Sequence, residues 1–408
     1  MAPMKILLVI CDGMADRPSE ALNGMTPLEA AEVPNMDRLA REGQTGLMDV
    51  ISPGIVPGSD TAHLALLGYD PRTVYTGRGP FEAAGEGVEV RKGDVAFRCN
   101  FATVDEKMNV TDRRAGRISK GTDKLAASIN GMKIEDVQVI FKQGVDHRAV
   151  LVLRGPGLSP TVTEVDPHHE GKILVSKALA LEAGKTARIL NEFTKRSYDV
   201  LSRHPVNQAR LKEGKAPANI ALARGPGSPP EVPLFSEQHN GLKGAAVVGI
   251  SLVRGLCSLS GLDIIPVKGA TGSTDTDVEA KAKAAVAALK THDFVLLHYK
   301  ATDLFGHDGD APGKAAFIEK IDSAIGEIIG SLDNTVVCVT ADHSTPCSVK
   351  DHASDPVPLL VWGKGLRHDL TDCFSEIEAA SGGLGHIRGH ELMSMLCGLV
   401  GRNPKFGA

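Results

Sequence analysis

Four separate places in this 408-residue sequence, each just after an apolar run or at a tight turn, together offer six side chains that could hold divalent cations as a set. Asp12 closes the run Ile6-Leu7-Leu8-Val9-Ile10-Cys11 and is followed by Gly13, which lets the chain turn sharply. Asp303 and His307 stand four residues apart, so on a helical turn both point from one face. Asp342 and His343 directly follow the β-branched run Val336 to Thr340, and adjacent ligands at a strand end can diverge towards two different ions. His352 lies nine residues further on, in a polar loop. Alone, a strand-end aspartate is a common capping or turn residue. Together, three aspartates and three histidines form a hard-to-borderline set suited to two Mn²⁺ or Zn²⁺ ions. Three carboxylates against two divalent ions leave about one net positive charge, attractive to a phosphate and able to stabilise an alkoxide.

Such a centre needs a nucleophile, and Ser59 is the candidate. It follows Gly58 and opens the apolar-periodic stretch Ala62, Leu64, Ala65, Leu67, which places it at a helix N-terminus, where a phosphoryl group and an oxyanion are both stabilised. As an N-cap it would do no chemistry. No Ser-His-Asp arrangement is apparent, so metal coordination would be its activation.

In order and context, Asp12-Gly, the Gly58-Ser59 turn, Asp303-x-x-x-His307, Asp342-His343 and His352 resemble the alkaline phosphatase superfamily. More closely, Pro57-Gly58-Ser59-Asp60, Gly77-Arg78-Gly79-Pro80-Phe81-Glu82-Ala83-Ala84-Gly85 and His298-Tyr299-Lys300-Ala301-Thr302-Asp303 resemble the archaeal-type branch of cofactor-independent phosphoglycerate mutase, over almost the whole chain. The resemblance implies two divalent metal ions of Mn²⁺ type (Zn²⁺, Co²⁺ or Mg²⁺ being alternatives) and a phosphoserine intermediate. It further implies interconversion of 2-phosphoglycerate and 3-phosphoglycerate, in glycolysis and gluconeogenesis, without bisphosphoglycerate. Carried over, Asp12, Ser59, Asp342 and His343 match one metal site, and Asp303, His307 and His352 the other. Basic candidates for gripping a small phosphorylated carboxylate are Arg98, Arg113, Arg114, Arg117, Arg148, Arg224 and Lys268, since Arg binds carboxylate and phosphate in bidentate fashion. Of the neighbours Arg113 and Arg114, at most one points into a cleft. A metal-dependent phosphohydrolase or another phosphomutase of the superfamily shares the same metal core. A non-catalytic binding protein would lack a ligand or the nucleophile, and none is missing.

These residues need a scaffold. The continuous apolar strand at Ile6 to Ile10 suits a parallel sheet buried on both faces. A helix from Asp275 to Lys290, a strand Phe294 to Tyr299, a helix Pro312 to Leu332 and strands Thr335 to Thr340 and Pro358 to Trp362 continue in α/β order. Loops at strand C-terminal ends then carry the ligands. The middle reads as an α+β insertion, with short strands at Val88 to Val90, Val95 to Phe101, Val137 to Lys142 and His147 to Arg154, then a helical stretch Lys172 to Leu201. The expectation is an alkaline-phosphatase-like α/β domain, mostly parallel sheet flanked by helices, over 1–84 and 224–408. A smaller α+β substrate domain lies at 85–223, and Arg224 to Pro230 forms a Gly/Pro-rich hinge. Domain closure would exclude water from the phosphoserine.

Composition excludes other classes. Lys plus Arg total 45 against 50 Asp plus Glu, a net charge of -5 without long single-sign runs, so nucleic acid and anionic membrane are not expected partners. Seven scattered cysteines and no targeting or transmembrane segment point to a reduced, cytoplasmic home. Gly383-Leu384-Gly385-His386-Ile387-Arg388-Gly389 misses the dinucleotide spacing, and Asp166-Pro167-His168-His169-Glu170 reads as a polar turn.

Overall fold

The structure, a computed structural model, describes residues 4–407 and divides into two compact units, Met1–Val74 with Val232–Ala408, and Tyr75–Glu231. The first unit is built on an eight-stranded sheet in the order Asp263–Ile264, Gly244–Val247, Phe294–Tyr299, Lys5–Cys11, Thr335–Thr340, Val357–Trp362, Gln44–Asp49, Gly385–Arg388. The first five strands run parallel, Val357–Trp362 runs against both its neighbours, and the last pair is parallel again. Every residue from Ile6 to Cys11 is fully buried, as an apolar strand covered on both faces must be. Two groups of helices provide the cover. Val278–Leu289 and Pro34–Glu42 pack on Ala311–Ile329, while Ser251–Leu259 and Gly389–Leu399 pack on Ser59–Leu66. Ala311–Ile329 buries Phe317, Ile318, Ile321, Ile325 and Ile328, the face its periodicity marks, and ends three residues before Leu332. Asp277 caps the helix Val278–Leu289 through the Ala280 N–H, so that helix starts later than its apolar pattern suggests.

The second unit is an antiparallel sheet with helices. Its central strand Val95–Val104 pairs with Arg148–Arg154 on one side and Ile220–Gly227 on the other. Val95, Phe97, Cys99 and Phe101 face the main core with Phe193 and Leu190 of the helix Gly184–Leu201. The opposite face carries Ala96, Val150 and Val152 against Ala83 of the short helix Gly79–Gly85. That helix lies on the strand so closely that a Cβ at Gly79 would stand 2.1 Å from the Ala96 carbonyl. Its contacts place it in this unit, which therefore starts at Tyr75 rather than 85.

Three expected elements differ. The helix begins at Gly184, not Lys172, because Lys172 pairs with Asn109 and the following segment is held extended by bonds from Leu174 to the Val165 carbonyl and from Leu179 to the Thr161 carbonyl. Val88 to Val90 forms no strand; Val88 and Val90 pack as side chains on the small apolar cluster. Arg224 to Gly227, expected as hinge, completes the strand Ile220–Gly227, in register with Arg98 and Ala96.

Candidate active site

Strand order explains why distant ligands meet. Phe294–Tyr299, Lys5–Cys11 and Thr335–Thr340 are adjacent and parallel, so the segments leaving their C-terminal ends emerge side by side. Asp12, Asp342 and His343 are fully buried there, and Asp303 nearly so. Asp303 and His307 lie on the short helix Ala301–Asp308, one turn apart. Gly13 turns the chain with φ 65°, and a Cβ at that point would come within 2.6 Å of Thr345 Oγ1 and 2.8 Å of Asp303 Cβ. Only glycine lets Asp12 sit so close to the other ligands. Ser59 is the first residue of the helix Ser59–Leu66, largely buried, its Oγ 3.2 Å from His343 Nε2.

Hydrogen bonds fix the imidazole tautomers. His307 Nδ1 donates to the Lys350 carbonyl at 2.9 Å and His352 Nδ1 to the Pro57 carbonyl at 2.8 Å. Carbonyls only accept, so in the neutral rings it is Nε2 that carries the lone pair, directed at Asp303 Oδ1 from 3.4 and 3.5 Å. The Thr345 hydroxyl donates to Asp303 Oδ1 at 2.9 Å and accepts from His343 Nδ1 at 2.9 Å. In the neutral ring His343 Nε2 likewise carries a lone pair, 3.2 Å from the Ser59 hydroxyl, 3.2 Å from Asp342 Oδ2 and 3.4 Å from Asp12 Oδ1. Among the described residues Asp342 Oδ2 has no hydrogen-bond partner despite that approach. Acceptors turned on one another in a buried site repel unless a cation lies among them. The donor set therefore fits divalent metal. Two groups have ligand atoms mutually within 4.8 Å: Asp303, His307 and His352, and Asp12, Asp303 and His343. Asp303 is common to both.

The local field has the sign such a site needs. Burial alone would raise the Asp303 pKa, but Lys300 and the surrounding histidines hold it well below the carboxylate range. Asp342 is likewise held low, burial being outweighed by His343 and His63. Burial opposes charge on His352, and the Asp303 carboxylate more than offsets it, raising its pKa. The field favours cations at this point, proton or metal alike.

Several participants escape a reading of sequence. His63, four residues after Ser59 on the same helix, is fully buried, donates from Nδ1 to the Ser59 carbonyl at 2.7 Å, and lies 3.5 Å from Asp342 Oδ2. His298, inside the apolar strand, binds Asp12 Oδ2 at 2.9 Å. Lys300 joins Asp12 Oδ1 at 2.8 Å to Asp303 Oδ2 at 2.6 Å. The i,i+4 spacing of Ser59 and His63 is a usable signal; His298 and Lys300 lie within the motif ending at Asp303 but carry no spacing of their own.

The basic candidates separate. Register places Arg98 opposite Arg224, and Asn100 opposite Arg148, on the sheet face that carries Ala96. Arg98 lies 3.7 Å from the buried carboxylate of Glu82, which also accepts from Arg78 Nε at 3.0 Å. Arg113 binds Asp166 through two bonds, 3.1 and 2.7 Å, and Arg224 Nε lies 3.8 Å from the same carboxylate. Asp166 is 1% exposed, so the segment expected as a mere polar turn contributes the anion that gathers two arginines. Burial and neighbouring guanidinium groups, opposed by Glu82, push Arg98 down to about 9. Arg98 Nε, Arg224 Nε, Asn100 Oδ1 and His147 Nδ1 are buried without a hydrogen-bond partner among the described residues. Arg114 is exposed, its charge one of those lowering the His147 pKa to about 4, after burial and Arg148. Arg117 is exposed on a different face, lining a cavity with Lys120, Val206 and Arg210. Lys268 is exposed on the segment between Asp263–Ile264 and Val278–Leu289, in the first unit.

Comparison with known proteins gives a consistent result. Residues 40–207 match the family model described as 2,3-bisphosphoglycerate-independent phosphoglycerate mutase, and residues 184–357 that described as type I phosphodiesterase / nucleotide pyrophosphatase. A 2,3-bisphosphoglycerate-independent phosphoglycerate mutase of Methanothermobacter thermautotrophicus is 52% identical over 99% of this chain and all of its own. One from Methanosphaera stadtmanae is 51% identical with the same coverage. Among solved structures, a Pyrococcus horikoshii protein superposes with TM-score 0.88 at 42% identity over the full length of both chains. A cofactor-independent phosphoglycerate mutase from Thermoplasma acidophilum gives 0.72 at 38% identity, covering 98% of this chain and all of that one.

Proposed function

This chain belongs to the 2,3-bisphosphoglycerate-independent phosphoglycerate mutases, isomerases that move a phosphoryl group within one substrate, and on that premise we propose how its two units divide the work. The first unit transfers phosphorus and the second retains the acceptor. Asp12, Ser59, Asp342 and His343 would hold one divalent ion and Asp303, His307 and His352 the other, Asp303 standing within reach of the first as well through its grouping with Asp12 and His343. Mn²⁺ is the ion we assign to this mixture of carboxylate and imidazole. Bound metal supplies Lewis-acid charge to the phosphoryl oxygens and lowers the pKa of the serine hydroxyl.

Ser59 Oγ attacks phosphorus in line; the bond from phosphorus to the substrate oxygen breaks, and that oxygen leaves as a hydroxyl after taking up a proton. The product is phosphoserine and free glycerate. The other glycerate hydroxyl then attacks the phosphoserine, restoring Ser59 and giving the isomeric phosphoglycerate. Glycerate must stay bound between the two steps. We assign its retention to Arg98, Arg148, Arg224 and Arg113. With Arg78, five guanidinium groups stand around three carboxylates, Glu82, Asp166 and Glu164, and an incoming anion relieves the imbalance. The seven cysteines are all free and the reaction belongs to glycolysis, which supports a cytoplasmic home.

The observation that carries the proposal is the convergence of Ser59 Oγ, three imidazole Nε2 atoms and three buried carboxylates at the C-terminal ends of adjacent central strands. Phosphorus NMR on 3-phosphoglycerate tests it. With Mn²⁺ the 2-phosphoglycerate signal grows; with EDTA, or with Ser59→Ala, turnover falls by about 10⁴-fold or more while the fold is retained. Near-native turnover in either case would contradict the assignment.

A further inference from the structure

Lys300 occupies a position the transfer scheme leaves unexplained. Each of the two carboxylates it touches offers two oxygens, and one of each is already committed: Asp12 Oδ2 to His298 at 2.9 Å, and Asp303 Oδ1 to the Thr345 hydroxyl at 2.9 Å. The ammonium takes the remaining pair, Asp12 Oδ1 at 2.8 Å and Asp303 Oδ2 at 2.6 Å. An ion held by Asp12, Asp303 and His343 would take these oxygens, whereas it is Asp303 Oδ1 that faces His307 and His352. Asp12 and Asp303 also share one candidate ligand group with His343, and Asp303 belongs to the second with His307 and His352. One lysine therefore ties the two groups together. Its side chain is only 15% exposed, so water contributes little to its solvation and the carboxylates supply most of it.

Resting on the metal reading of Asp12 and Asp303 above, we infer that Lys300 is a built-in competitor for the metal sites: its ammonium and the divalent ions contend for Asp12 Oδ1 and Asp303 Oδ2, and loading proceeds by exchange against this lysine. Two consequences follow from charge alone. Metal affinity is lower than the ligand set would otherwise give, because each ion must displace an ion pair and then tolerate a nearby positive charge. With two ions bound, the three carboxylates and Lys300 carry about two net positive charges rather than one, which favours the dianionic phosphoryl group.

The experiment is a Mn²⁺ titration by calorimetry of the EDTA-stripped, dialysed full-length chain as wild type, Lys300→Met and Lys300→Arg, together with the thermal midpoint of each stripped protein. Lys300→Met should bind Mn²⁺ at least about tenfold more tightly while its stripped midpoint falls by several degrees. Lys300→Arg, which keeps the charge, should stay near wild type in both. A lysine that merely supports structure would lower the midpoint without tightening Mn²⁺, and unchanged or weaker affinity in Lys300→Met overturns the inference. Should Lys300→Met fail to fold, Lys300→Gln is read by the same criterion. A wild type that takes up no Mn²⁺ overturns the ligand reading itself.

Discussion

Asp303 is where the two ligand groups join, and the consequence can be measured residue by residue. Its Oδ1 faces His307 and His352 while its Oδ2 is on the side shared with Asp12 through Lys300. Asp303→Asn should therefore deplete both metals, whereas His307→Ala should lower the content of one, since a missing ligand weakens chiefly the site it belongs to. Metal analysis after gel filtration distinguishes the two; equal depletion by both variants would contradict the shared role. At this scale the sequence was informative where a residue's type and its position after an apolar run agreed, as for Asp12, Asp342 and His343. His298 was illegible because a histidine within Phe294–Tyr299 reads as one more buried strand position. Asp166 was illegible for the opposite reason: its polar neighbours suggest a surface turn, and the partners that bury it, Arg113 and Arg224, are remote in sequence.

Elements hold these residues through a brace beneath the loop that carries His343. Lys314, on the helix Ala311–Ile329, and Asp16 are both buried and 2.7 Å apart. Lys314 also donates to the Thr345 carbonyl at 3.0 Å, while the Cys347 N–H donates to Asp16 at 3.0 Å. The pair thus fixes Thr345, whose hydroxyl orients both His343 and Asp303. Lys314→Met leaves Asp16 charged and buried and should cost about 3–5 kcal/mol in urea unfolding, much of it recovered in the double variant Asp16→Asn/Lys314→Met. No recovery would mean that the methionine is misfit in itself. Periodicity found the helix but could not distinguish Lys314 from a solvated lysine near a helix start. The same limit made Lys172 to Ala183 look helical: a run of good helix formers is overridden when its backbone is taken up by Val165, Thr163 and Thr161.

For the whole molecule, the proposed phosphoserine makes the difference between a mutase and a phosphatase a question of what becomes of glycerate while phosphorus rests on Ser59. Both activities share the first half-reaction, so a variant that only weakens the acceptor's grip should divert product rather than stop chemistry. Arg148 suits this test because it lies on the sheet face shared with Arg98 and Arg224, yet its side chain is exposed and supports no buried ion pair. Arg148→Ala should lose mutase rate by about 10²-fold or more, the scale of misplacing a reacting group. Inorganic phosphate should rise relative to 2-phosphoglycerate, as water outcompetes a loosely held hydroxyl. Ser59→Ala should lose both products together, because nothing then reaches the branch. Measuring both products from 3-phosphoglycerate separates the cases: an unchanged partition in Arg148→Ala, and again in Arg224→Ala, would mean that these arginines bind substrate before transfer but do not retain the acceptor after it.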